Sequence, residues 1–256
     1  PILVPGVRET RARSDSDLAE RRGRGADEKG FFRQLVEALA NRDFLAFILL
    51  YFFYQAAMLA MTASVHYVGD YILGRSTTLI MGAMLGGSLV GLPLWTRLAR
   101  RLDDNQTLLG AAALALAAAC VPMVFPLPYA GYVAALAVWG IAFGGFWMLI
   151  GPAMADVIDG IVARTGRRED GVYLGFRAFF GRLAYAVQAA SFAVVHAATG
   201  FAADPRSPAA VAGIRLHLAG IPAVLLVVGF VVFRALNRLT PEAARENRRI
   251  LSERGL

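Results

Sequence analysis

Six apolar blocks, near residues 44–68, 76–96, 107–125, 129–155, 172–198 and 214–236, leave this chain few folds to choose from. At about 1.5 Å of rise per residue, a helix over each block is long enough to cross a hydrocarbon core roughly 30 Å thick. In lipid every backbone N–H and C=O must find its partner inside the structure, so crossing segments of this length are helices. The expected fold class is an all-α membrane protein, a six-transmembrane-helix bundle. Composition agrees: 57% of the residues are apolar and the mean hydropathy is +0.53, far above a soluble domain.

The formal charge of +7 is carried by arginines gathered at the ends of the apolar blocks, not on an amphipathic face interleaved with aromatics. That distribution points to a lipid bilayer and away from nucleic acid. One side of the predicted crossings collects Arg97, Arg100 and Arg101, then Arg164, Arg167 and Arg168, then Arg234, Arg238, Arg245, Arg248, Arg249 and Arg254; the other has Arg75, Arg206 and Arg215. The positive-inside bias then places both ends of the bundle in the cytoplasm of a cell's inner (plasma) membrane. Removing one crossing would put a basic cluster on the wrong side, so the charges support the count of six independently of hydropathy.

Outside the bundle, residues 1–7 read as the end of a preceding transmembrane helix, and the chain is expected to be a piece whose N-terminal portion is missing. Residues 8–43 read as a cytoplasmic linker, polar and of mixed charge as far as residue 30. From Phe31 the apolar residues Phe31, Phe32, Leu35, Val36, Leu39 and Ala40 fall on one face of a short amphipathic helix, a surface-lying element before the first crossing. The bundle is assigned to 44–236 and a cytoplasmic tail to 237–256. Cys120, the single cysteine, sits within an apolar block, which excludes an intrachain disulfide and a cysteine metal centre.

Charge inside the greasy sequence is where function is sought. Ionisable groups at membrane depth cost about 2.5–3.5 kcal/mol each on insertion scales and persist mainly where they face a bundle interior or a watery cavity. The stretch from Trp147 to Arg182 holds most of them. Asp156 and Asp159 lie one helical turn apart; the basic loop of Arg164, Arg167 and Arg168 follows, and Arg177 and Arg182 re-enter apolar sequence. The two carboxylates are expected either to form a cytoplasmic latch with Arg97, Arg100 or Arg101 or to make ordinary structural salt bridges. Arg182, about ten residues into its block, is expected to pair with a carboxylate of the missing half, to hold an anionic solute, or to pair with Asp156. Arg177 either lines the same cavity or snorkels to headgroups. Tyr51, Tyr54, Gln55, Met58, Thr62 and His66 form a polar stripe at helical spacing, a pore lining or a set of interhelical hydrogen bonds. His196 and His217 read as structural.

Glycine pairs four apart, Gly82 and Gly86, Gly87 and Gly91, Gly140 and Gly144, are expected to let helix backbones approach. Pro93 and Pro152 interrupt the hydrogen bonding of their blocks and are candidate hinges. No GxSxG elbow, Walker motif or HExxH occurs, so nothing in the sequence points to an enzyme.

The motifs of this stretch carry a family resemblance. Trp147, MADVID from Met154 to Asp159, TGRREDG from Thr165 to Gly171, and Tyr173 running to Arg182 follow without a gap the pattern of the glycoside-pentoside-hexuronide:cation symporters, the melibiose permease-like family of the major facilitator superfamily. NRDFLAF, from Asn41 to Phe47, resembles the start of that family's seventh helix, where proline is usual in place of Asp43. The match is with the C-terminal half, crossings seven to twelve.

The resemblance implies one half of a major facilitator fold, built as two three-helix inverted repeats with its solute site against a missing N-terminal six-helix half. It also implies cation-coupled symport of a sugar or glycoside by alternating access. No cofactor is implied beyond a coupling Na⁺ or H⁺, whose ligands would lie in the missing half. Trp147 becomes a candidate platform for a sugar ring. Three departures bear on the solute: Arg182 replaces the family's eleventh-helix lysine, and Arg177 and Ala178 replace a glutamine and a threonine near the sugar. Two arginines facing a cavity would favour a carboxylated, hexuronide-like solute. The substrate-binding candidates are therefore Trp147, Arg177, Arg182, Tyr54 and Gln55. A lysolipid-like solute, or a non-transporting membrane remnant or interaction module, are the alternatives.

Overall fold

The computed structural model describes residues 31–255. The helix remnant expected at 1–7 and the linker over 8–30 lie outside them. Helix α1, Phe31–Ala40, forms where the amphipathic spacing predicts one, with Arg33 and Glu37 paired across one turn at 3.4 Å. It is a unit separate from the bundle, which begins at Asn41.

The described residues hold six helices long and apolar enough to cross a membrane. Helix α2, Arg42–Tyr67, continues through a π-helical stretch, Val68–Leu73. Helices α3, Thr78–Leu102, α4, Asn105–Val124, α5, Tyr129–Thr165, and α6, Asp170–Thr199, follow. The last crossing is composite: α7, Pro208–Arg215, passes through the π-helical Leu216–Gly220 into α8, Ile221–Leu236. Helix α9, Pro241–Arg254, closes the chain.

Helix ends follow capping chemistry more closely than hydropathy. The first crossing begins before residue 44 because the Asn41 side chain accepts the N–H groups of Asp43 and Phe44. The fourth extends well past residue 155, carrying Asp156 and Asp159 in regular helix until Gly166, in the left-handed region at φ 68°, ends it. Charge marks where a helix leaves the apolar layer and does not stop it. Both candidate hinge prolines, Pro93 and Pro152, sit inside continuous helix.

The helices pack so that α5 meets α3 and α4, α2 meets α8 and α6, α4 meets α8, and α2 meets α5. Exchanging the first three crossings with the last three maps this set of neighbours onto itself, as two three-helix repeats require. Crossings one, three and four are the most buried, at 56%, 50% and 56% of their apolar windows in α2, α4 and α5, against 22% in α3 and 11% in α6. The core gathers Trp139, Tyr54, Tyr132, Phe44, Phe47 and Phe146, with the Cys120 thiol also buried.

Two of the three glycine pairs are packing contacts. A Cβ on Gly87 or Gly91 would land on the carbonyl oxygen of Ala137 or Ile141, and one on Gly140 or Gly144 on that of Met84 or Ser88. The α3–α5 crossing is thus a backbone-on-backbone contact, in which small residues substitute for a hydrophobic driving force absent in lipid. Gly82 and Gly86 correct the expectation: they face open space on the outer side of α3. Trp95 adds to this interface, donating from Nε1 to the Ile141 carbonyl at 3.1 Å.

At the end of the bundle opposite the arginine clusters, His217 is buried, bonds the Ser191 carbonyl through Nε2 at 3.1 Å and stacks on Phe192, while His196 stacks on Phe201. At the arginine-rich end, the Asp43 carboxylate accepts the Arg238 N–H at 2.8 Å, joining the start of α2 to the end of α8.

Candidate functional site

The α2–α6 interface is largely aromatic. Phe44 meets Tyr173 edge-on at 5.1 Å between ring centroids, and Phe52 meets Phe180 at 6.3 Å. Between these pairs Arg177 places its guanidinium carbon 6.0 Å from the centroid of the Tyr51 ring, within cation–π range. Across from them α5 carries a ladder of rings at four-residue spacing. Trp139 stacks on Phe143 at 5.3 Å and Phe143 on Trp147 at 6.3 Å, which brings Trp147 to the surface with 58% of its area exposed.

Tyr51, Trp147, Met148, Ile150, Gly151 and Arg177 line an open recess of about 240 Å³. Tyr51 lies nine residues from the start of α2 and Arg177 seven from the start of α6, while Trp147 lies nine residues before Asp156, the first carboxylate of α5. At the helical rise these are depths of about 10–14 Å, toward the middle of a hydrocarbon core. The lining includes one cation and no carboxylate, and Arg177 forms no ion pair among the described residues in this mostly apolar wall. A flat aromatic face beside such a cation can receive a small solute that has both an apolar face and an anionic group. At this volume the recess takes a single ring; pockets for drug-sized ligands run from about 300 to 1,000 Å³.

Of the predicted binding residues, Trp147 and Arg177 are brought together here. Tyr54 and Gln55 are not. Tyr54 is buried, stacked on Phe146 at 3.9 Å with its hydroxyl unpartnered, and Gln55 is half-buried without a side-chain hydrogen bond among the described residues. The polar stripe divides along its length, because Thr62 bonds back to the Met58 carbonyl of its own helix at 2.8 Å and His66 is exposed. Tyr51 alone of that stripe reaches the recess.

Arg182 is exposed and has no ion pair among the described residues; in particular it does not pair with Asp156. It sits on one of two chemically different exposed faces of α6. Its own face carries Gly175, Ala178, Tyr185, Ala186, Ala189 and Ala193, while the other carries Phe179, Leu183, Ala190 and Val194. Bulky apolar side chains suit lipid tails, and small ones suit the close approach of another helix.

The two carboxylates differ: Asp156 makes no salt bridge among the described residues, and Asp159 makes an ordinary one within its own hairpin, the alternative to the latch. Asp156 is buried and accepts from Asn105 Nδ2 at 2.8 Å, while Gln106, next in sequence, donates to the Ala153 carbonyl at 2.8 Å. Asp159 pairs with Arg168 of its own hairpin at 3.3 Å, and Arg168 also approaches Asp170 at 3.8 Å. Arg97, Arg100, Arg101, Arg164 and Arg167 are exposed and form no ion pair among the described residues. The pairing that does cross the arginine-rich end joins Asp103, in the α3–α4 turn, to Arg245 at 3.2 Å and Arg248 at 3.8 Å of α9. Helix α9 in turn packs on α5, where Arg254 donates to the Ala163 carbonyl at 3.0 Å. This strap was missed in the sequence, although Thr240-Pro241 followed by Glu and Arg at three- and four-residue spacing announces a capped surface helix.

A bundle of six crossings, pseudo-symmetric between its halves and carrying an ionisable recess near mid-depth, has the organisation of a membrane carrier. The sequence profile of the family described as MFS/sugar transport protein matches residues 4–237, and the chain belongs to that family. It is therefore a multi-pass membrane transporter protein of the major facilitator kind. Among curated proteins none matches the chain.

Proposed function

We propose that this chain is the C-terminal half of a melibiose permease-like, cation-coupled symporter whose solute is a sugar or glycoside bearing a carboxylate, such as a hexuronide. The observation that carries the reading is the placement of Trp147 and Arg177 on one recess: a ring face for the sugar and paired guanidinium donors for the carboxylate. The other wall of the site comes from an N-terminal six-helix bundle seated against the exposed faces of α3 and α6 on which Gly82, Gly86 and Arg182 lie. Alternating access follows from rocking of the two bundles, driven by Na⁺ or H⁺ bound in the partner bundle. The arginine-rich end faces the cytoplasm of the inner (plasma) membrane.

Asp159 is the carboxylate suited to a latch. It is partly exposed and pairs with one neighbour in its own hairpin among the described residues, so it can exchange Arg168 for Arg97, Arg100 or Arg101 when the pathway closes inward. Asp156, committed to Asn105, is structural.

The test is uptake into vesicles by the two-bundle transporter under a Na⁺ or H⁺ gradient, comparing a methyl glucuronide with the matching methyl glucoside. The glucuronide is expected to be taken up preferentially. Preference for the neutral glucoside would overturn the assignment of the solute.

A further inference from the structure

Gly181 and Tyr51 stand in an unusual relation to Arg177. A Cβ built on Gly181 would lie 2.9 Å from the Tyr51 hydroxyl oxygen, with the next ring atoms at 3.4 and 3.6 Å. Gly181 is buried, and it follows Arg177 by four residues, on the same face of α6. The two residues therefore bracket one tyrosine of α2: the glycine gap receives the hydroxyl end, and the guanidinium lies over the ring face. No carboxylate lines the recess to hold the arginine instead.

We infer that Gly181 and Tyr51 are positioning residues that set where the Arg177 guanidinium stands in the recess, and through it the preference for a carboxylated over a neutral sugar. This rests on the reading of the recess as the solute site. The physical steps are separate and local. The missing Cβ leaves room for the hydroxyl end of Tyr51 against α6 and so fixes where its ring stands. The ring then offers its negative face to the guanidinium, restricting a long side chain that would otherwise sample many rotamers. A restricted guanidinium presents its paired donors to a carboxylate at lower entropic cost, and a neutral glycoside gains nothing from it.

The geometry makes an asymmetric prediction. Gly181→Ala should displace the Tyr51 hydroxyl and with it the ring. Adding Tyr51→Phe removes the atom at 2.9 Å and leaves ring carbons at 3.4 Å and beyond, an ordinary contact, so the double variant should recover. The experiment measures uptake of the methyl glucuronide and the methyl glucoside in the two-bundle transporter, reported as the ratio of their kcat/KM values. Tyr51→Phe alone keeps the ring and is expected to stay within about twofold of the wild-type ratio, whereas Tyr51→Leu and Gly181→Ala are each expected to lower it by about threefold or more. The double variant should return to within about twofold.

The loss should appear in KM for the glucuronide, with kcat and glucoside uptake little changed, which simple damage to the α2–α6 packing would not produce. A double variant as impaired as Gly181→Ala, or a ratio unmoved by both Gly181→Ala and Tyr51→Leu, overturns the inference. Should Gly181→Ala fail to assemble, the comparison of Tyr51→Phe with Tyr51→Leu decides it alone, and equal ratios overturn it. Arg177→Gln separates the two levels. If it leaves the wild-type ratio unchanged, the recess assignment itself fails; if it collapses the ratio while the Tyr51 and Gly181 variants do not, only the positioning role fails.

Discussion

Asn105 donates from its Nδ2 to the Oδ2 of Asp156 across 2.8 Å, so the first turn of α4 is fastened to the buried carboxylate of α5. A buried carboxylate without a donor carries its desolvation cost unrelieved, about 1–3 kcal/mol or more for a charged group. Asn105→Ala is therefore expected to lower the apparent unfolding temperature in detergent, and Asn105→Asp, which sets two carboxylates against each other, to lower it further. A thermal scan of the purified protein checks both; unchanged melting in Asn105→Ala would remove the structural role assigned to Asp156.

The carbonyl contacts at Gly87 and Gly140 leave no room for a methyl group, whereas Gly82 and Gly86 have open space around them. Gly140→Ala should destabilise the bundle by about 1–3 kcal/mol through overpacking. Gly82→Ala should leave the stability of this six-helix unit nearly unchanged. If the two variants melt alike, the α3–α5 crossing is not the close backbone contact described.

On the proposed pairing with a second six-helix bundle, the two exposed faces of α6 should differ in their access to water. Cys120 is buried, so single cysteines can be introduced against a low background. An impermeant aqueous thiol reagent is expected to label Ala178→Cys or Ala186→Cys, on the Arg182 face, at least about tenfold faster than Leu183→Cys, on the bulky face. Faster labelling at position 183 would place Arg182 toward lipid.

The α9 strap depends on exposed ion pairs, each contributing about 0–1 kcal/mol and screened by salt. Asp103→Asn should speed amide exchange across Pro241–Arg254 with little change in global melting, and added salt should have the same effect on the unmodified protein. Acid should act similarly. The hydrogen bond from Arg249 holds the Glu246 carboxyl below its ordinary value, and the hydrogen bonds that the Glu242 carboxyl accepts from its own backbone N–H and from the Thr240 hydroxyl hold it down too. A depressed carboxyl adds stability above its unfolded value and loses it as pH falls through the folded one. Exchange in α9 should therefore quicken on acidification below the ordinary glutamate range; exchange indifferent to both salt and pH would show that apolar packing alone holds the strap.

Much of the architecture was readable in advance because it depends on local chemistry. Apolar length counts crossings one at a time, and the arginine clusters check the count without reference to packing. The hairpin stretch from Trp147 to Arg182 could be singled out in advance, since a costly ionisable residue within an apolar block needs a reason wherever it lies, and two of its residues, Trp147 and Arg177, share a recess. Partners were harder. Asp156 and Asp159 share a helix face by spacing, yet one bonds Asn105 and the other Arg168, because the neighbours that reach them are set by how α4 and the hairpin loop arrive. Gly82 and Gly87 have the same small-residue spacing, and only the rotation of α3 against α5 tells a contact from an open face.

Six membrane crossings, their alternating direction and the charged hairpin between the fourth and fifth were determined by the sequence itself, because transfer into lipid is priced residue by residue along the chain. Which of the polar residues converge was decided by tertiary structure. Trp147 and Arg177 share a recess, Tyr54 is buried away from it, and Arg182 stands on a different face, because convergence depends on the rotational phase of three helices against one another. That phase is set by side-chain packing between distant parts of the chain.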